Sequence, residues 1–343
     1  MPRQRKWRLT PDQYQCSPGL SDAMARHPGA CQGWRPRPVA AIGAVSIAIG
    51  LLGIIGIGHS ASAQDMEPRA YSASPIDTNF LLASYLRTTG AVSLDPALPI
   101  ANVKASINTG FLGYDRTFDL FGQTASAAIV VPYIQAGVSG DVFETGQHAD
   151  RKGFGDIRLR FTDNLIGNAA RTPAEFALRE PTTTVGASLT TIAPTGDYNP
   201  QHLVNISSHR WAFKPEIGVS QPFGDWFADA AAGAWLFTEN RNFFGGHVRG
   251  EDPLWSLQAH AGYSFRPGLW LALEATHYFG GDTVLDGVNK GDFQSATRYG
   301  ATLSVPITAG FSAKVAYATW LTAHNSGSFD TLLFSLQYRW FDR

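Results

Sequence analysis

The residues best placed to do chemistry are charged side chains at the alternate positions of apolar segments. The basic ones are Lys104, Arg158, Arg160, Lys214, Arg298, Lys314 and Arg339, and Glu216, Asp229, Glu274 and His260 accompany them. In 155–165, Ile157, Leu159 and Phe161 oppose Arg158, Arg160 and Thr162. In 269–279, Leu271, Leu273 and Ala275 oppose Glu274 and Thr276, and in 311–322, Val315 and Tyr317 oppose Lys314. Successive side chains of a strand point to opposite faces, so this spacing gathers the charges on one wet wall. A wall with a basic bias would favour anionic or aromatic solutes through charge and cation–π contact. The same groups, paired with one another, would instead cement a narrow interior, because buried charges need partners. Both uses remain open on sequence alone.

Aromatic residues give a second candidate. Phe243 and Phe244 precede Gly245-Gly246 in a polar connection, with Trp235 and Phe237 just below, and such a cluster could receive an apolar solute at an outer mouth or simply pack a loop. A lipid hydrolase would need Ser and His within hydrogen-bond reach. His277, near Ser295 and Thr297, is the nearest approach, but no Ser- or His-centred motif surrounds it. No histidine pair has ligand spacing, so no metal and no cofactor is expected.

About twelve alternating segments must position these residues. They run over 78–88, 103–118, 124–136, 155–165, 182–193, 210–221, 226–238, 254–265, 269–279, 294–305, 311–322 and 331–341. Tight turns at 119–122, 222–225, 266–268 and 307–310 alternate with longer polar connections at 89–102, 137–154, 194–209, 239–253, 280–293 and 323–330. A further connection, 166–180, contains Pro173-Ala-Glu-Phe-Ala-Leu178 as a short helix. Short turns on one side and long loops on the other predict an all-β, antiparallel transmembrane barrel.

The N-terminal region supports export. Arg3, Arg5, Lys6, Arg8, Arg26, Arg35 and Arg37 precede an apolar run over 39–58, and Ala61-Ser62-Ala63 follows. Basic region, apolar core and small-x-small site form a cleavable signal, placed at 1–63, with a start at Met24 as a shorter alternative. Residues 64–77 then form a short periplasmic lead-in and 78–343 the barrel. Cys16 and Cys31 both fall in the signal, so no disulfide holds the remainder. Its net charge is −6, which argues against nucleic acid as a partner. Strand-end aromatics (Tyr133, Trp211, Trp226, Phe265, Trp270, Trp340) suit an interfacial girdle and, with the signal, assign the apolar rows to lipid. Phe334, Leu336, Tyr338 and Trp340 of the closing strand read as the insertion signal for the outer-membrane assembly machinery, although Asp342-Arg343 follow the last aromatic.

Specific phrases carry a resemblance. Arg210-Trp-Ala-Phe-Lys-Pro-Glu-Ile-Gly218, the run from Gly186-Ala-Ser-Leu to Pro194-Thr-Gly-Asp197, Phe265-Arg-Pro-Gly-Leu-Trp-Leu-Ala-Leu273 and Gln337-Tyr-Arg-Trp-Phe341 resemble the transporter family named for the meta-cleavage pathway of phenol degradation. The likeness begins near Glu67-Pro-Arg-Ala-Tyr71. It implies an outer-membrane barrel for passive passage of small solutes, aromatic or apolar ones among them, in contact with bilayer lipid and lipopolysaccharide. A structural or surface-interaction barrel with a blocked lumen is the alternative, and a barrel lipid hydrolase the third.

Overall fold

The computed structural model describes residues 67–91, 100–142, 145–202 and 204–342. The expected signal at 1–63 and its cleavage site lie outside the described residues. Seventeen strands follow in order: β1 (Thr78–Ala91), β2 (Ile100–Leu120), β3 (Gln123–Val142), β4 (Thr145–Phe154), β5 (Ile157–Ile166), β6 (Thr184–Ala193), β7 (Ala212–Phe223), β8 (Trp226–Phe237), β9 (Asn240–Phe243), β10 (His247–Glu251), β11 (Leu254–Arg266), β12 (Leu269–Gly280), β13 (Thr283–Leu285), β14 (Val288–Asn289), β15 (Gln294–Pro306), β16 (Phe311–His324) and β17 (Ser328–Phe341). The wall is a closed antiparallel barrel of twelve strands. Closure leaves no long edge with unpaired backbone groups, which lipid would not tolerate.

The last strand closes on the first, from Thr78↔Phe341 to Ala91↔Ser328. Asp342 finishes this seam. Its carboxylate accepts from Asn79 Nδ2 at 2.8 Å and from Arg116 at 2.6 Å, and its backbone N–H donates to Asp77. The polar residue beyond the final aromatic therefore clamps the first, second and last strands together.

The alternation places Phe334, Leu336 and Tyr338 outside, each well exposed, with Thr331 and Ser335 buried inside. Outward aromatics gather near the turn end, where Trp226, Tyr263 and Phe265 stack edge to face and Phe311, Tyr338 and Trp340 form a second group. Of the expected girdle, Trp270 is a correction. It is buried, meeting Phe227 edge-on inside the barrel. One residue decides it: β12 turns its even positions inward, so Trp270 shares a row with Ala272 and Glu274.

β2 and β3 extend beyond the segments expected of them, and their polarity inverts along the way. In the lower half Leu112, Ile129 and Tyr133 face out. Higher up, Val103, Ala105 and Ile107 of β2 and Ile134, Ala136 and Val138 of β3 face in and pack on Val204 and Ile206. The outer face there carries Lys104, Ser106 and Asn108, while Val204 and Ile206 fill the inside. The polarity crosses over at the Phe111↔Pro132 pair. β4 continues β5 along β3 after a break at Gly155-Asp156. Asp156 accepts from Gly196 N–H and from the hydroxyls of Ser207 and Ser208, drawing the 194–211 loop inward. The long connections also hold a four-stranded sheet of β9, β10, β13 and β14 that no alternation announced. The helix Pro173–Ala177 forms as expected, with Thr172 and Glu175 capping each other.

Candidate functional site

The residues just before β1 run inside the barrel. Arg69 takes a left-handed turn with φ of 67°, and its N–H donates to Asp229 Oδ2 at 2.8 Å while its guanidinium lies 5.0 Å from the Phe227 ring centre. Tyr71 is buried. Its hydroxyl donates to Glu216 Oε1 at 2.8 Å and shares a hydrogen bond with Ser188 at 2.9 Å, and the Arg160 guanidinium stands 5.6 Å from its ring centre. The ring rests on two glycines paired across β6 and β7, Gly186 and Gly218. A Cβ on Gly218 would lie 2.2 Å from the ring, and one on Gly186 2.6 Å. Such distances exclude any other residue type while the ring is seated. Burial, helped by the nearby Glu216 carboxylate, pushes the Tyr71 phenol up, so it stays a neutral donor. Ser72 and Ser74 continue the attachment through Ser220 and Asn168.

Most of the charged candidates meet around this lead-in. Glu216 is the hub. Lys214 Nζ lies 2.7 Å from it, Gln258 donates to it at 2.8 Å, and Arg160 stands at 3.4 Å. His260 faces Asp229 at 4.0 Å, and Glu274 accepts from Thr302. Arg298 is buried beside Trp320, and Arg158 and Lys314 line the interior. Two candidates lie elsewhere. Lys104 stands on the outward, exposed row of β2, because Val103 and Ala105 take the inward row. Arg339 is exposed at the turn-side rim, bonded to the Ala309 carbonyl.

Between the lead-in and the wall is a cavity of about 420 Å³. Phe80, Leu82, Phe111, Val130 and Leu333 give it an apolar wall, while Arg158, Arg160 and Lys314 give it a cationic one. On the far side of Tyr71 a second pocket of about 20 Å³ lies between Glu216, Asp229 and His260.

Glu67 ties the lead-in to the cationic wall, with Lys314 Nζ 3.2 Å from its carboxylate. Lys314, then Arg160 and His260, hold that carboxyl below its ordinary value of 4.5. A depressed carboxyl contributes attachment that is complete above 4.5 and is lost as pH falls through the depressed value. Acidification below that point is expected to raise the frequency of open events in planar bilayers, and Glu67→Gln to remove the acid dependence. The same acid response in the variant would show that another group is responsible.

Above the charged layer the lumen turns aromatic. Trp235 and Tyr278 pack with Ala212 and Leu254, and Phe237 and Trp320 close the cluster. Trp235 thus belongs to the interior, with Lys214 Nζ 5.7 Å from its ring. Phe243 is buried under the Arg249 guanidinium and Phe244 is partly covered. Arg249 itself is lowered to about 10 by burial and by the neighbouring Arg210. His277 lies on the outward row and bonds Thr297 at 3.0 Å.

Glu67, Arg69 and Tyr71 were missed by alternation because their segment has none. The phrases that carried the family resemblance did contain Tyr71, Gly186 and Gly218.

A closed twelve-stranded barrel with an apolar exterior, an aromatic girdle and a polar lumen occupied by its own leading segment has the architecture of an outer-membrane β-barrel. The chain belongs to the family described as "Putative MetA-pathway of phenol degradation", whose model matches residues 87–336. Among solved structures it is similar to an outer membrane channel from Pseudomonas putida F1, with 22% identity and a TM-score of 0.68 over 80% of this chain and 99% of that one. Looser likenesses include the beta domain of the Bordetella autotransporter BrkA (12% identity, TM-score 0.45, 77% and 100% covered) and the transport unit of the autotransporter AIDA-I from Escherichia coli (10% identity, TM-score 0.46, 86% and 97% covered). No curated protein matches by sequence.

Proposed function

We propose that this chain is a passive channel for small solutes whose resting lumen is closed by its own lead-in, and that it passes compounds with an apolar or aromatic body. The observation that carries this reading is the two-walled cavity of about 420 Å³ beside Tyr71. Its volume falls in the range of small-molecule sites, and its apolar wall would accept a ring. Passage requires the lead-in to leave its notch, since Tyr71 and Arg69 bind inside the barrel to Glu216 and Asp229. Export through removal of residues 1–63, insertion by the assembly machinery through Phe334, Leu336, Tyr338 and Trp340, and contact with lipopolysaccharide belong to the same reading.

The same obstruction favours a second one, a surface-interaction barrel that never opens. Deleting residues 67–74 separates the two. In planar bilayers the shortened protein is expected to conduct several-fold more than the full chain, and cells carrying it to take up small aromatic compounds faster. A shortened barrel that folds yet neither conducts nor admits solute would leave the blocked barrel as the better account.

A further inference from the structure

Glu67 is held differently from the other carboxylates of the lumen. The Glu216 and Asp229 side chains are each 6% exposed; Glu216 is held by Gln258 and Arg160 of the wall, and Asp229 faces His260 and accepts from the Arg69 N–H. The Glu67 side chain is 53% exposed and makes one ion pair, to Lys314. Among the described residues Glu67 is the only carboxylate within ion-pair distance of Lys314. The carboxylate also borders the large cavity, so it reaches its cation from the side a solute would share. It is carried on a segment that precedes the wall rather than on the wall itself.

We propose that Glu67 is a tethered stand-in for the solute's own anion: the site between Lys314 and Arg160 binds a small monocarboxylate with an apolar body, which competes with Glu67 and lays that body against Phe80, Phe111 and Leu333. This rests on the channel reading and names the class of solute. Lys314 attracts any anion, but the apolar wall opposite leaves inorganic anions half-satisfied. A neutral ring would use the apolar wall and leave Lys314 to Glu67. Only a molecule with both parts satisfies both walls. Arg160 need not lose its own contacts with Glu216 and Ser188, since it acts from behind Lys314 by charge. Competition with an internal group weakens apparent affinity by the fraction of molecules whose site is vacant.

The test is calorimetric titration of the full-length purified protein with benzoate and with benzyl alcohol. Glu67→Gln is expected to tighten benzoate binding by about tenfold, as for a site otherwise vacant in one molecule in ten, and to leave benzyl alcohol unchanged. Adding Lys314→Met to that variant is expected to abolish the gain. Equal benzoate affinity in wild type and Glu67→Gln, or a gain shared by benzyl alcohol, overturns the proposal. Should Glu67→Gln fail to fold, Lys314→Met alone decides, because loss of benzoate with retention of benzyl alcohol is expected and retention of both overturns it. If the 67–74 deletion conducts while benzoate shows no competition, this inference falls and the channel reading stands. If that deletion never conducts, the channel reading falls whatever benzoate does.

Discussion

Gly218→Ala is expected to open the barrel without weakening it. The new methyl would sit 2.2 Å from one atom of the Tyr71 ring and 2.3 Å from the next. Neither the ring, buried among its partners, nor the strand backbone that carries Gly218 can yield that much, so the ring must leave. With it go the hydrogen bond to the Glu216 carboxylate and the contact with Ser188. A charge-assisted bond and the burial of one aromatic ring together are worth about 3–5 kcal/mol, or two to four powers of ten in the closed-to-open ratio. The wall should not suffer, since Gly218 lies inside a regular pairing with Gly186 and alanine is the better strand residue by about 0.5–1 kcal/mol. Tyr71→Phe keeps the ring and loses both hydrogen bonds, so a smaller opening is expected. Single-channel recording gives open probability and urea unfolding gives stability. Unchanged open probability in Gly218→Ala would mean that the notch does not hold the gate.

The wall was legible because a lipid-facing sheet must repeat every two residues. The faces of 331–341 follow from that period, and its pairing with the first strand follows from closure. Lys104 and Trp270 show where the period stops informing. Lys104 stands where the apolar row packs inward on Val204 and Ile206, so the dry side is the inside and the row reverses its meaning. Trp270 sits on the inward row near the turns, where the Phe227 ring gives an aromatic residue a dry place within the lumen. The lead-in was illegible for a different reason. Its hold comes from a few long-range contacts, such as Tyr71 to Glu216 and Arg69 to Asp229, and these leave no local pattern. A pair of glycines on neighbouring strands does not reveal itself as a socket until the ring that fills it is placed.

Glu216→Ala is expected to be the most destabilising change in the lumen. The side chains of Glu216 and Lys214 are only 6% and 3% exposed, with Lys214 Nζ 2.7 Å from the carboxylate. Removing the carboxylate takes a counter-charge from a buried ammonium, which typically costs about 3–5 kcal/mol. The lower end, about 3 kcal/mol, is the better expectation because Lys214 keeps another contact and the Trp235 ring. Pairing the change with Lys214→Met should recover most of the loss, since a buried ion pair replaced by apolar groups is close to neutral. The two outcomes also separate stability from gating. Tyr71 loses its acceptor in both variants, so both should open more often, yet only the single variant should unfold at lower urea. A single variant as stable as wild type would mean that water reaches Lys214 and that the layer is a wet lining rather than a cemented one. A double variant as unstable as the single would mean that Glu216 serves the fold through Gln258 and Arg160 instead of through its lysine.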